Sequence, residues 1–296
     1  MLRKIFLIAL LFATNVSMKA QTLSCPSGDH YQETKKEVFD QAKLCIPYQL
    51  QFREDSTKVN EYTKAQAVLM VSDDYLFFVD YNRVKLDSIN NYLAESKKNQ
   101  HNEKAQNEWQ HYIDLWKFNW LSLSNVKTRQ TTIQCSNALN SYEYSYPMPE
   151  IKWNLVSGDS IVNGTACKKA TCSFSGRNYV AWYAESIPLP FGPYLFGGLP
   201  GLILEIHDVN HNWIFTNNGM GKATEHKDMY LYKKRIIGKI NKTTRENALE
   251  GYRNDVENFR NLVVEQADVR VMKDGKWVTP TTNYPKRPSN MLELVW

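Results

Sequence analysis

The sequence predicts an α+β fold in which one strongly curved, half-barrel-like antiparallel β-sheet carries several packed helices. Three observations support this. Apolar and polar residues alternate with a period of two over 65–80 and again over 150–236, with turn residues between the runs. Seventeen tyrosines and eight tryptophans in 296 residues suit strands. Three stretches, near 30–44, 88–120 and 243–265, show helical spacing instead and are placed against the sheet or its concave side.

The first twenty residues read as a secretory signal. Arg3 and Lys4 supply a charged start, residues 5–13 an apolar run, and Ala20 a small residue before Gln21. The run is too short to span a bilayer as a mature helix. Leu23 stands one place late for a lipid-anchored Cys25, so a cleaved, unanchored protein is expected. No later stretch has the length and apolarity of a transmembrane helix. Residues 21–296 are expected to form a single α+β domain with a helical insertion around 88–121, exported to the periplasm or associated with the outer membrane.

Taken in order, residues 29–44 look helical, with Tyr31, Val38, Phe39 and Ala42 as the apolar side and Pro47 as the stop. Residues 48–64 are polar and carry little signal. Residues 67–71 and 75–79 read as a hairpin around Ser72-Asp73-Asp74. A helix begins near Asp87, and 94–108 is charged and rich in glutamine and asparagine. Trp109, Tyr112, Ile113, Trp116 and Trp120 then recur every three or four positions, as a helical aromatic stripe does.

Strands follow at 151–156 and 159–162, parted by Ser157-Gly158, and at 167–174 and 179–184, joined at Ser175-Gly176-Arg177-Asn178. Further strands are expected at 202–207, 213–215 and 229–236. Thr243-Thr244-Arg245-Glu246 has capping-box spacing and opens a helix that buries Leu249, Tyr252, Val256, Phe259 and Val263. Residues 269–271 and 277–278 flank Asp274-Gly275 as a hairpin. The chain ends on Leu292, Leu294 and Trp296, but no series of ~10-residue strands precedes them to make an outer-membrane barrel.

Residues 187–206 are the least ordinary stretch, apolar and dense in proline and glycine with one acid, Glu205. Pro188, Pro190 and Pro193 exclude a helix. Leu199-Pro200-Gly201-Leu202 fits a type II turn, which would give Gly201 a positive φ. The hexapeptide Gly198-Leu199-Pro200-Gly201-Leu202-Ile203 resembles the signature of the GLPGLI family of exported bacterial envelope proteins. Its flanks agree: Gly164, Cys167-Lys168-Lys169-Ala170, Gly176-Arg177, Ala181-Trp182-Tyr183, Ile187-Pro188 and Gly192-Pro193, with Tyr144, Trp153 and Asp87-Ser88 upstream. The resemblance implies an envelope location. The family carries no established activity, so it implies no reaction.

Chemical signatures are scarce. No Gly-x-Ser-x-Gly elbow, His-Glu-x-x-His or phosphate-binding glycine loop occurs. The net charge of +5 is spread along the chain, and Lys97-Lys98 and Lys233-Lys234-Arg235 read as solvated faces, so no nucleic-acid partner is expected. His207 and His211 bracket Asp208, with Glu205 on the same strand face as His207. Asp73-Asp74 and Asp80 form a second acidic group. Neither has the spacing of a defined metal site, and no metal or cofactor is expected.

Five cysteines in an exported chain leave at least one unpaired. Cys167 and Cys172 on one strand stand about 16 Å apart, too far to bond. Cys25 and Cys45 are held apart by the expected helix, and Cys135 is the expected partner of a strand cysteine. Arg177 has two readings: a clamp for a carboxylate or phosphate, or a structural cation satisfying loop carbonyls. The structural one is favoured.

The leading functional expectation is a non-enzymatic envelope protein that binds an apolar small molecule, lipid or partner segment. Trp182, Phe191, Phe196, Leu199, Pro200, Gly201 and Arg177 are its candidate contact residues. One alternative is an interaction module accessory to an outer-membrane transporter, docking through a sheet edge or the same loop. The other is a hydrolase or metal-dependent enzyme using His207 with Glu205 or Asp208.

Overall fold

The first strand among the described residues forms where the sequence predicts a helix. The structure is a computed structural model describing residues 31–234, 240–266, 271–273, 276–278 and 283–294. The expected signal segment, Cys25, the expected Asp274-Gly275 turn and Trp296 lie outside the described residues. β1 (Lys35–Gln41) pairs antiparallel with β14 (Asp228–Lys234), some 190 positions away, as a two-stranded sheet. Val38 and Phe39 are both exposed, so the supposed helical face buries only Ala42. Ladder pairing with a distant strand overrides a weak local period. Pro47, expected as a helix stop, lies inside β2 (Leu44–Phe52), whose Ile46, Tyr48, Leu50 and Phe52 alternate inward.

β3 (Thr63–Val71) and β4 (Tyr75–Asp80) form the expected hairpin. Asp80 caps α1 (Tyr81–Glu95), accepting from the Asn82 and Arg83 amides, and its other oxygen accepts from Lys117 and Phe118 N–H. Burial pushes this carboxyl up to about 6, against the pull of those four donors. α2 (Lys97–Gln100) and α3 (Glu103–Leu115) follow. The aromatic stripe is then divided: Trp116 ends α3, and Trp120 begins β5 (Trp120–Asn125). β6 (Gln130–Ser136) and β7 (Ser141–Pro147) complete a meander that the sequence reading omits.

β8 (Asn154–Val162) is one strand, and Ser157-Gly158 is a bulge within it. β9 (Thr165–Phe174) and β10 (Arg177–Ala184) meet at Ser175 and Gly176, both at positive φ, as a tight hairpin requires. β11 (Leu202–Asp208), β12 (Trp213–Asn217) and β13 (Gly221–Lys222) precede β14. β15 (Ile240–Lys242) leads to α4 (Arg245–Glu257), capped by Thr244 through the Asn247 amide, one residue beyond the expected box. α5 (Phe259–Gln266) and the hairpin of β16 (Val271–Lys273) with β17 (Lys276–Val278) close the described elements.

Thirteen strands form one open sheet in the order β15-β7-β6-β5-β4-β3-β2-β12-β11-β10-β9-β8, with β13 beside β2. Among the described residues only the short β15–β7 pairing is parallel. The sheet curls. Phe78 on β4 and Phe215 on β12 are three strand spacings apart, ~14 Å on a flat sheet, yet their ring centroids are 6.2 Å apart. The concave face holds the larger core, to which Ala67, Leu69, Phe78, Tyr179, Ala181 and Ile206 contribute. The alternate residues Val68, Met70, Phe77 and Val79 face the convex side, where β14 residues Met229, Tyr230 and Tyr232 and the α1 residue Val84 share a second core with them. The fold is α+β.

Candidate functional site

The connection from β10 to β11 folds back into the concave core. Pro188 and Pro190 pre-set two tight turns in succession, in which Leu189 N–H donates to Ile187 O at 2.7 Å and Phe191 N–H to Leu189 O at 2.8 Å. The loop then closes on itself: Gly198 N–H donates to Pro190 O, and Leu202 and Ile203 N–H donate to Ile187 and Phe191 O. The Trp153 indole N–H donates to Gly197 O at 2.9 Å, fixing the loop to the segment before β8. Tyr194, Leu195, Phe196 and Leu199 are buried. Phe196 packs edge-on against Tyr179 at 4.7 Å, and Tyr194 against Phe78 and Trp120 at 6.4 Å.

Gly201 corrects the turn expectation. Its φ is not positive; the loop glycine with positive φ is Gly198, at +90°. Gly201 is required for space instead. A Cβ there would sit 2.1 Å from Ala184 O and 2.6 Å from Ala184 C, both backbone atoms.

A cleft of about 360 Å³ lies between residues 190–198 and the opposite wall of the curled sheet. Leu76, Ser124, Met148 and Ile151 face Phe191 and Phe196 across it. At its rim Arg129 and Glu150 pair at 3.1 Å, both exposed. Phe191 and Phe196 are thus the two candidate contacts that line the cleft. Trp182 lies on the other face of β10, where the Lys169 ammonium sits 5.6 Å from its ring. Leu199, Pro200, Gly201 and Arg177 do not line it. Sequence reading missed Met148 and Ile151 as cleft residues; both stand in the irregular chain between β7 and β8, which the Pro147-Met148-Pro149 break opens, itself an overlooked signal.

Arg177 is buried rather than displayed at a hairpin tip. Its Nη2 donates to Asn290 Oδ1 at 2.6 Å and Met291 O at 2.5 Å, and its Nη1 reaches Asp208 Oδ2 at 3.4 Å. The residues it holds belong to 283–294, a segment without regular structure that nevertheless buries Met291, Leu292 and Glu293. Glu293 accepts from the Tyr194 hydroxyl at 2.6 Å and from Arg245 Nε at 3.0 Å. The C-terminal segment therefore fastens the loop to α4.

The His207 and His211 rings stack at 4.3 Å, nearly parallel. Asp208 faces away from them, accepting from the Trp213 amide at 2.7 Å and from Asn212 at 3.1 Å beside Arg177. Among the described residues no three His, Cys, Asp or Glu side chains gather as a metal site. Asp73 and Asp74 pair instead with Lys43 and Lys127. The expected bond between Cys135 and a strand cysteine does not form: Cys167 and Cys172 are free thiols on β9, and Cys135 is on β6, in the other half of the sheet. Cys45 is also a free thiol. Among the described residues no helix is long and apolar enough to cross a membrane.

A family model described as a protein of unknown function (Porph_ging) matches residues 125–205. That span runs from the end of β5 through Met148, Ile151 and the 187–201 loop and includes the whole hexapeptide; Leu76 and Ser124 of the cleft wall precede it. No curated protein matches the chain. Two solved structures are similar over 78% of it, PNGF-II in its P21 and C2 space groups. They share 12% and 13% identity, with TM-scores of 0.43 and 0.44, and the chain spans 35% of their length.

Proposed function

We propose that this is an exported, non-enzymatic envelope protein that holds an apolar small molecule, lipid or partner segment in the cleft beneath the 187–201 loop. The observation that carries the reading is the cleft itself, about 360 Å³ walled by Phe191, Phe196, Leu76, Met148 and Ile151. Its rigid roof, already folded and hydrogen-bonded, would lose little conformational freedom on binding. The uncharged fluorophore N-phenyl-1-naphthylamine tests the site. It should bind saturably to one site, lose at least tenfold in affinity in Ile151→Trp, and bind unchanged in Trp182→Ala. Absence of saturable binding, or indifference to Ile151→Trp, overturns the reading.

A second reading, docking to an outer-membrane transporter, is favoured by one observation. Among the described residues β8 is an unpaired sheet edge, with Leu155 and Ile161 exposed at 64% and 76%. Ile161→Lys should then release the protein from purified outer membranes without altering its fold, and retention of the variant would eliminate this reading.

A further inference from the structure

The cleft beneath the 187–201 loop is apolar within and charged at one end. Along the inner wall the polar groups are already committed inside the protein. Ser124 Oγ bonds Thr131 Oγ1 at 2.6 Å, and the Tyr194 hydroxyl donates to Glu293. The carbonyls of Pro190, Phe191 and Gly197 accept from Gly198 N–H, Ile203 N–H and the Trp153 indole. Leu76, Val126, Met148, Ile151 and the Phe191 ring supply apolar surface between them. An occupant with polar groups along its length would lose their hydration here and meet no partners. Hydrocarbon loses nothing. At about 360 Å³ the cleft stands at the small end of the ~300–1,000 Å³ range of ligand sites, which suits one chain rather than the two of a bilayer lipid.

The rim is different. Arg129 and Glu150 line it, joined by one contact from Arg129 Nη2 to Glu150 Oε1 at 3.1 Å. A guanidinium carries five N–H donors in a planar fork, and this pair uses one of them. Exposed pairs of this kind contribute little and exchange readily. The guanidinium is the more sheltered partner, 56% exposed against 83% for Glu150. Lys152, two positions beyond Glu150, is also exposed and enters no ion pair among the described residues. Two cations thus stand against one carboxylate at this end, so the rim favours an anion.

We propose that the occupant of this cleft is a long-chain carboxylic acid, its chain beneath the loop and its carboxylate on the Arg129 guanidinium. The inference rests on the proposed function, since it takes the same cleft as the binding site and adds the head group. Guanidinium and carboxylate match in a bidentate pair, for which Arg129 has donors to spare beside or in place of Glu150. A neutral chain would leave that fork unused, and a cationic one would face it with like charge.

Equilibrium dialysis of the purified protein against radiolabelled dodecanoate, dodecanol and dodecylamine, each kept below micelle-forming concentration, tests this. The acid should bind about fivefold tighter than the alcohol, the scale of one partly exposed ion pair, and the amine should bind weakest. Arg129→Gln, at an exposed turn position, should erase the acid's advantage and leave the alcohol unchanged. Glu150→Gln should tighten the acid, because a competing carboxylate is gone. Ile151→Trp should weaken acid and alcohol alike. Equal affinity for acid and alcohol, a preference for the amine, or an acid preference that survives Arg129→Gln refutes the head group and leaves the apolar site standing. Acid binding that is indifferent to Ile151→Trp puts the acid elsewhere and refutes it too. If N-phenyl-1-naphthylamine binds and none of the three chains does, the carboxylic acid alone is refuted; if all four fail, the proposed function falls with it.

Discussion

Replacing Arg177 distinguishes a structural cation from a ligand clamp. In Arg177→Ala, Asn290 Oδ1 and Met291 O lose charged donors at 2.6 and 2.5 Å. Hydrogen bonds to a charged partner contribute about 1.5–3 kcal/mol each. The contact with Asp208 is longer, at 3.4 Å. Asp208 also keeps the Trp213 amide and Asn212, so its isolation is partial. The expected loss is about 3–5 kcal/mol, the range found when one partner of a buried pair is removed.

Urea denaturation followed by tryptophan fluorescence should show this as a lower midpoint at unchanged slope. Hydrogen exchange should quicken first at Met291 and Leu292, the residues that Arg177 holds. Arg177→Lys should recover little, because one ammonium cannot span Asn290, Met291 and Asp208 together. Adding Asp208→Asn to Arg177→Ala should return about 1 kcal/mol by removing a buried carboxylate left without its cation. A loss below about 1 kcal/mol, with ligand binding abolished, would show that Arg177 serves a ligand and that the anchoring argument is wrong.

Three further outcomes are expected. Gly201→Ala should cost more than about 3 kcal/mol, since its Cβ meets the Ala184 backbone, whereas Pro200→Ala at an exposed position should cost under about 1 kcal/mol; thermal melts that coincide would refute the spatial argument. Asp87 is buried between Arg83 at 3.0 Å, Lys36 at 2.8 Å and the Tyr230 and Tyr232 hydroxyls. Burial pushes its carboxyl up, but Arg83 and Lys36 pull harder and hold it below the usual value. A carboxyl lowered on folding adds stability above its unfolded pKa, near 3.9, and loses it as pH falls through the folded value. Asp87→Asn should therefore cost about 3–5 kcal/mol at neutral pH and flatten the acid limb of stability; an unchanged acid limb would count against it. Burial pushes the Cys172 thiol up to about 12, so about one molecule in ten thousand is thiolate at pH 8. Iodoacetamide should label it only in guanidinium, and rapid labelling of the native protein would contradict its burial.

Local pattern served the sequence reading well where each element makes its contacts with its neighbour. The β3–β4 and β9–β10 hairpins pair across short turns, and the α4 helix carries its own cap. It failed where distant chain decides. Residues 35–41 become a strand because β14 supplies a ladder, with Lys36 turned toward Asp87. The β5–β7 meander escaped notice because its polar residues are inside: Ser122, Ser124, Thr131, Gln134 and Glu143 are all buried. Gln134 donates to Glu143 and to Tyr232 O, and Ser124 bonds Thr131, so these side chains serve as interior partners and blur the usual alternation. Trp120 fell in helical phase with Trp116 by accident of spacing, since the helix ends between them. The cleft was half legible. Its roof could be read from prolines and glycines and Leu76 from the β4 pattern, while Ser124 comes from a strand whose buried polar residues blur the alternation and Met148 from irregular chain after β7.

The hexapeptide shows how a short motif can be demanding on structural grounds alone. Gly198 has φ at +90°, a region costly for a side chain. Leu199, Leu202 and Ile203 are buried in the concave core, so each position needs bulk. Gly201 needs none, because Ala184 O occupies the place of its Cβ. Ile203 also gives its carbonyl to the Tyr48 hydroxyl at 2.7 Å, joining β11 to β2 across the strand between them. Five of the six positions are thus constrained by different physical causes, and none presents a reactive group. Such a motif specifies how a loop is seated. If the cleft binds as proposed, recognition falls to the half-buried residues that the seated loop brings face to face, Phe191 against Met148 and Ile151, where substitutions should alter what is bound more than whether the protein folds.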